Sequence, residues 1–366
     1  MKTALIYSPE IRKYDFGEGH PFRGDRFDNF INFFQQRFAA YNDRFDRIEP
    51  VPATDDQLKL AHDEEYIKAM GIAAKGMTLP DILRYTTMDN LNPFTRSIPT
   101  GIDEAARAIV GASLLAGELV YESRFQKAIA VGGGLHHAKR NKGEGFCFYN
   151  DVAVCCQNLL EKGVARILSL DTDAHAGNGT SHAFYHDRRV LFIDIHQDPT
   201  TIYPGTGFIS QIGTDEGLGF TVNLPLPPGS GNNAYQYVFD EVVFPLAQEF
   251  QPEIIIRNGG SDPYYLDGLT NLGLTLDGFR MIGGYVKEIA QQVCQGKSVD
   301  LLASGYNQEV LPFAWSALIC GLLDLDIDLS DLREETPPAE DAGYDETKEV
   351  VTELKRHLKQ YWRCMQ

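Results

Sequence analysis

Residues 165–184 read ARILSLDTDAHAGNGTSHAF, and the break inside them decides the fold. Ala165 to Leu170 is short, aliphatic and without polar alternation, the pattern of a strand buried on both faces. At Asp171 the apolar run stops and polar residues crowd in. The same unit recurs along the chain: VLFIDI (190–195) leads into HQDPTTIYPGTG, EIIIRN (253–258) into GGSDPYY, and DLLAS (300–304) into GYN. Ala4 to Tyr7 and Ala128 to Val131 are further runs of this kind, the second leading into GGGLHHA. Helix-like stretches lie between them at Gly101–Ser123, Asp151–Lys162, Asn233–Phe250 and Leu276–Gln295. Strand, helix and strand in repetition predict an α/β fold whose mostly parallel central sheet is flanked by helices. In such sheets ligands bind beyond the carboxyl ends of the strands, so the polar loops are expected to converge in one crevice.

The whole chain has 366 residues, long enough for about two domains by the ~150-residue prior and compatible with one large domain. A hydrophobic content of 43 % excludes global disorder. The formal net charge of −18 argues against a protein that grips a phosphate backbone and favours cationic or basic partners. Six cysteines without CxxC spacing are too sparse for a disulfide scaffold, which fits a reducing compartment. The apolar start of MKTALIYSPE is too short for a signal peptide, and no run approaches the roughly 20 apolar residues of a membrane span. A soluble cytoplasmic protein is expected, acting on neither membrane nor nucleic acid.

Residues 1–330 are read as one domain, the acidic, Pro-containing stretch 331–345 as an exposed linker, and 346–366 as an amphipathic helix. In that helix Val351, Leu354, Leu358 and Tyr361 recur at helical spacing, for packing on the body or on a partner. Phe27, Phe30, Phe33, Phe34, Phe38 and Phe45 could pass for a nucleic-acid platform, but their spacing predicts a helical core stripe.

Chemistry concentrates at the strand ends. Asp173 and His175, one residue apart after a strand, can point to one side, and Asp262 after another strand supplies a third ligand. Two carboxylates, one imidazole and an open position suit zinc or iron(II) and the activation of water. The alternative is that Asp173 caps a turn and His175 packs internally. His136 and His137 can provide a general base and an electrostatic partner if each ring is oriented, and Asp171 and Asn178 are available for that. Two solvent-facing histidines are the competing reading.

The blocks GGGLHHAKRNKGEGFCFYND (132–151), LDTDAHAGNGTSHAFY (170–185), PGTG (204–207), NGGSDPYYLDGL (258–269) and SGYN (304–307) together resemble the zinc-dependent histone deacetylase family. The resemblance is to the branch that includes bacterial acetoin-utilisation deacetylases, and DNLNPFTRSIPTGIDEAARAIVGASLLAGELV (89–120) shares it. It implies a single three-layer arginase/deacetylase-like α/β domain that hydrolyses an amide between an acyl group and a lysine-like amine. Zinc, or iron(II), would be held by Asp173, His175 and Asp262. His137 would be the general base and then the acid toward the leaving amine, with His136 as its electrostatic partner. Asp171 would orient His136, and Asn178 stands where relatives often have an acid. Tyr306 would donate to the acyl oxygen, while Phe146, next to Gly145, and Tyr203 would line a narrow channel. Asp89 matches an acid that clamps the substrate backbone in relatives. The resemblance further implies a structural potassium beside Asp171, Asp173 and His175.

Several positions depart from the family pattern. Ala176 replaces a second histidine, Asn178 carries no charge with which to strengthen His137, Tyr203 replaces a phenylalanine, and Ala303 and Ser304 stand where relatives have glycines. The first functional reading is removal of acetyl or related acyl groups from lysine side chains of proteins or peptides. The alternative is deacetylation of small acylated amines such as acetylpolyamines. A non-catalytic acyl-amine binder would be expected to have lost a ligand, a histidine or the tyrosine, and all six are present. Oligomeric state is left open.

Overall fold

A computed structural model of the chain describes residues 2–332 and 341–366. Eight strands form one sheet: β1 (Thr3–Ile6), β2 (Phe45–Ile48), β3 (Lys127–Val131), β4 (Ile167–Asp171), β5 (Val190–Gln197), β6 (Thr221–Leu226), β7 (Ile254–Gly259) and β8 (Ser298–Leu302). Their spatial order is β2-β1-β3-β8-β7-β4-β5-β6, and every neighbouring pair is parallel. The last strand in sequence thus lies in the middle.

Successive residues of each strand feed opposite faces. Leu5, Ile129, Val131 and Ile255 join one apolar cluster, whereas Ala4, Ala128, Ala130, Ile254 and Ile256 join the other. The first is covered by helices Asp25–Arg37, Leu276–Val293 and Leu311–Leu323, and the second by helix Asp151–Glu161 and the C-terminal half of helix Ile102–Tyr121. This is the three-layer α/β arrangement.

Helices Leu276–Val293 and Leu311–Leu323 pack backbone against backbone. A Cβ at Gly283 would stand 2.1 Å from the Leu318 carbonyl oxygen, and one at Gly321 would stand 1.9 Å from that of Arg280. The first helix follows the loop of Asp262 and the second follows the loop of Tyr306, so this contact fixes the two loops relative to each other.

Two strands lie outside the expected set. β2 (FDRI) is short, partly exposed and polar, and it pairs on one edge only. β6 (TVNLPL) contains Pro225, which an edge strand tolerates because one row of its N–H groups needs no partner. The single helix expected over 233–250 is instead Asn232–Val238, a π turn at Phe239–Val243, and Phe244–Phe250. Pro245 accounts for the break, since proline in a regular helix removes one hydrogen bond and crowds the carbonyl four residues earlier.

The aromatic stripe is core. Phe27, Phe30, Phe34, Phe38 and Phe45 are buried, and Phe33 is half-buried against Phe313, with ring centroids 4.6 Å apart. A helix at Tyr344–Leu358 buries Val351, Leu354 and Leu358 and lies against β6 and helix Asn232–Val238. Beyond it, Trp362 donates its indole N–H to the Gly219 carbonyl at 2.7 Å. Of the stretch read as a linker, residues 333–340 lie outside the described residues. No helix among the described residues is long and apolar enough to cross a membrane.

Candidate metal centre

Parallel register brings the strand ends level. Asp171 on β4 lies opposite Asp194 on β5 and Asn258 on β7, while Val131 on β3 and Gly259 on β7 each lie opposite Leu302 on β8. The loops that leave these ends carry His136 and His137, Asp173 and His175, Asp262, and Tyr306. All these side chains meet in one crevice, as expected of the carboxyl end of a parallel sheet.

One ligand atom from each of Asp173, His175 and Asp262 lies within 4.8 Å of the others. His175 Nδ1 is 3.2 Å from Asp173 Oδ1 and 3.0 Å from Asp262 Oδ2. Asp173, His175 and Asp262 are 3, 7 and 0 % exposed. Burial and the Asp173 charge push Asp262 up to about 8, while the two carboxylates overcome burial and raise His175 to about 10. Two carboxylates gathered around one imidazole without bulk water call for a cation, and this donor set fits a divalent ion. Ser304 Oγ donates to Asp262 Oδ1 at 2.9 Å and fixes that ligand. The loops of Asp262 and Tyr306 touch closely enough that Gly305, at φ +125°, has no room for a side chain: a Cβ would lie 1.9 Å from Ser261 Oγ.

The two histidines are held differently. His136 Nδ1 is 2.8 Å from Asp171 Oδ2, which also accepts Asn258 Nδ2–H at 2.9 Å. His137 Nδ1 is 2.8 Å from Asn178 Oδ1, and the two Nε2 atoms converge at 3.2 Å. Burial alone would lower His136, but Asp171 and Asp173 raise it to about 9. Burial and the neighbouring His136 and His175 charges hold His137 well below the usual histidine range. Adjacent groups pushed in opposite directions provide one proton carrier and one proton acceptor.

Tyr306 closes the other side. Its ring centroid is 5.9 Å from that of Phe146 and 6.3 Å from that of His175, and its N–H donates to Asp267 Oδ2 at 2.7 Å. The buried Arg26 guanidinium lies 5.4 Å from the Tyr306 ring centroid and donates to the carbonyls of Ala303 at 3.2 Å and Gly305 at 2.9 Å.

Tyr203 and Phe146 each border the crevice, the first against His137 and the second against Tyr306. Tyr203 packs edge-on to His137 at 5.1 Å. Phe146 has φ +65°, a strained conformation for a bulky residue that costs about 1 to 3 kcal/mol. Hydrogen bonds on both sides hold it there, from Tyr14 Oη to the Phe146 carbonyl at 2.6 Å and from Gly145 N–H to Asp89 Oδ2 at 2.7 Å. Asp89 therefore supports the Gly145–Phe146 turn through one of its oxygens.

Every residue proposed from the sequence lies in or beside this crevice. The sequence reading assigned no role to Arg26, Glu144, Asp194 or Asp267. Asp194 had a visible signal, a carboxylate inside an otherwise aliphatic strand, because a charge there must find partners. It accepts Gly177 N–H at 2.9 Å through Oδ2, whereas its Oδ1 accepts no hydrogen bond and lies 3.0 Å from His196 Nδ1. The others come from distant segments and carried no local signal.

A family model described as histone deacetylase domain matches residues 20–322. The chain belongs to the histone deacetylase family. This deacetylase is 32 % identical over 371 residues to a probable deacetylase of Archaeoglobus fulgidus, covering 100 % of this chain and 99 % of the relative. It is 34 % identical over 325 residues to the acetoin utilization protein AcuC of Staphylococcus aureus, covering 88 % and 82 %. Among solved structures, the HD domain of HDA15 superposes with a TM-score of 0.83 at 24 % identity, covering 100 % and 97 %, which is a likeness of fold. Family membership and the Asp173, His175 and Asp262 cluster together make the deacetylase a zinc-dependent amide hydrolase.

Proposed function

We propose that this deacetylase removes acetyl or related short acyl groups from small amines with an aliphatic stem. The sequence reading put proteins and peptides first. The observation that turns the preference is the engagement of Asp89: the rim carboxylate that would clamp a peptide backbone spends Oδ2 on Gly145 N–H, beneath Phe146. The net charge of −18 draws cationic amines toward the protein. Acyl-lysine peptides remain the second reading, supported by Asp89 Oδ1, which takes no hydrogen bond from the described residues.

When bound by Asp173, His175 and Asp262, a divalent ion would polarise the acyl oxygen and acidify water. Zinc suits the set, as does iron(II), and metal analysis of the purified protein distinguishes them. A structural potassium would lie beside Asp171, Asp173 and His175, where Asp194 Oδ1, 3.0 Å from His196 Nδ1, offers a further oxygen. His137 takes the proton of the attacking water at Nε2. His136, kept protonated by Asp171, compensates the charge that builds up, and His137 then passes the proton it took from water to the leaving amine. Tyr306 Oη donates to the acyl oxygen as it gains charge. Phe146 and Tyr203 hold the aliphatic stem and exclude water.

The test is release of free amine from a matched panel of acetylpolyamines and acetyl-lysine peptides, with wild type beside Asp89→Ala. Preference for the small amines, and an equal proportional loss on both classes in the variant, is expected. Preferred peptide turnover with a KM increase confined to peptides would overturn this reading in favour of the second.

A further inference from the structure

We propose that Glu144 is a positioning residue for this reaction: it fixes the orientation of the Asn178 side-chain amide and thereby the tautomer of His137. The inference rests on the reading of His137 as general base and extends it to a residue that does not touch the substrate.

The geometry carries the argument. Asn178 Nδ2 donates to Glu144 Oε1 at 2.6 Å, and Lys139 Nζ lies 2.8 Å from the same oxygen. A carboxylate flanked by Lys139 only accepts, so the Asn178 atom facing it must be the NH2 group. The amide oxygen then faces His137, whose Nδ1 lies 2.8 Å away and must be the donor. With its hydrogen on Nδ1, neutral His137 has its lone pair on Nε2, the nitrogen turned toward the site. The 3.2 Å approach of the two Nε2 atoms agrees, because two N–H groups cannot face each other at that distance.

Without Glu144 the amide is free to turn. An Nδ2 facing His137 would require Nδ1 to accept and would move the hydrogen to Nε2, leaving no base. An aspartate at 178 would need no such guide, since both its oxygens accept. Glu144 is 7 % exposed and lines a cavity of about 540 Å³ with Lys139, Asn178 and Tyr203, through which a small carboxylate can reach Lys139.

Kinetics of the zinc-loaded protein test this on the preferred amine substrate. Glu144→Ala should lower kcat by roughly 10- to 100-fold, the range for losing a partner that orients a site histidine, with KM little changed. Formate should restore part of the loss. Glu144→Gln should stay close to wild type, because its amide oxygen can accept from both Asn178 and Lys139. In an Asn178→Asp background, Glu144→Ala should lower kcat no further. An equal loss in both backgrounds, or a rise in KM at unchanged kcat, would mean that Glu144 only shapes the Gly145–Phe146 wall and would overturn the proposal. Should Glu144→Ala fail to fold, the ring 15N shifts of His137 in Glu144→Gln and wild type decide, with protonated Nδ1 expected in both and protonated Nε2 in wild type overturning the proposal. His137→Ala separates the two levels: full activity in that variant would remove the general-base reading, whatever Glu144 does.

Discussion

Replacing Tyr306 with phenylalanine removes one oxygen and leaves the ring. The ring contacts to Phe146 at 5.9 Å and His175 at 6.3 Å, and the Arg26 guanidinium at 5.4 Å, are all made to carbon and survive the change. The ring packing is retained, so stability should move little. None of the three metal donors is altered, so metal content should equal that of wild type. Burial and the Asp262 and Asp173 charges hold the hydroxyl above the usual tyrosine range, which keeps its proton available for donation. A donor aimed at a developing oxyanion contributes about 2.7 to 4 kcal/mol, so kcat should fall roughly 10²- to 10³-fold with KM nearly unchanged. Amine release at saturating substrate, with zinc content measured on the same samples, reads this directly. A variant of full metal content whose kcat stays within roughly threefold of wild type, less than about 0.7 kcal/mol, would refute the assignment of Tyr306 as oxyanion donor.

Two further predictions concern stability. His62 is buried, with Nδ1 3.0 Å from the Lys139 carbonyl oxygen and Nε2 accepting Asn150 N–H at 2.9 Å. Burial lowers it to about 4, so the neutral ring is the folded form, and stability present above the unfolded value of about 6.5 is lost as pH falls toward 4, by about 3 kcal/mol. Urea unfolding between pH 7 and 4.5 should show His62→Gln with a shallower decline than wild type, and an equal or steeper decline would count against it. Arg257 and Asp300 form a fully buried pair, Nε to Oδ1 at 2.7 Å. Asp300→Ala should cost about 3 to 5 kcal/mol by stranding the guanidinium, while Arg257→Met with Asp300→Leu should recover most of it. A double variant no more stable than Asp300→Ala would disprove that account.

The sheet was legible where strands are buried on both faces, because an aliphatic run of that length has few other fates. It was illegible at the edges. β2 buries little, and β6 carries an asparagine that breaks its apolar run and a proline that an edge position accommodates. In the site, the Asp173–His175 pair and the His136–His137 pair were readable because the residues of each are neighbours in sequence. Strand ends supplied the rule that brings Asp262 to them. Asn178 was seen as lacking a charge, yet the carboxylate that holds it is 34 residues away. Arg26 lies 277 residues from the Ala303 carbonyl it supports, and no local pattern encodes a pairing at that distance.

The central place of β8 bears on how the molecule comes to exist. Until Ser298–Leu302 has been synthesised, β3 and β7 cannot be joined, and the chain consists of two half-sheets, each with an open edge. Pairings between segments this far apart in sequence form slowly, and open edges recruit other chains. Aggregation during synthesis should therefore be governed by how soon β8 reaches its slot. The ligands Asp173, His175 and Asp262 all leave strands of one half, whereas His136, His137 and Tyr306 can face them only after that insertion, since β8 is the strand that unites the half bearing the two histidines with the half bearing the ligands.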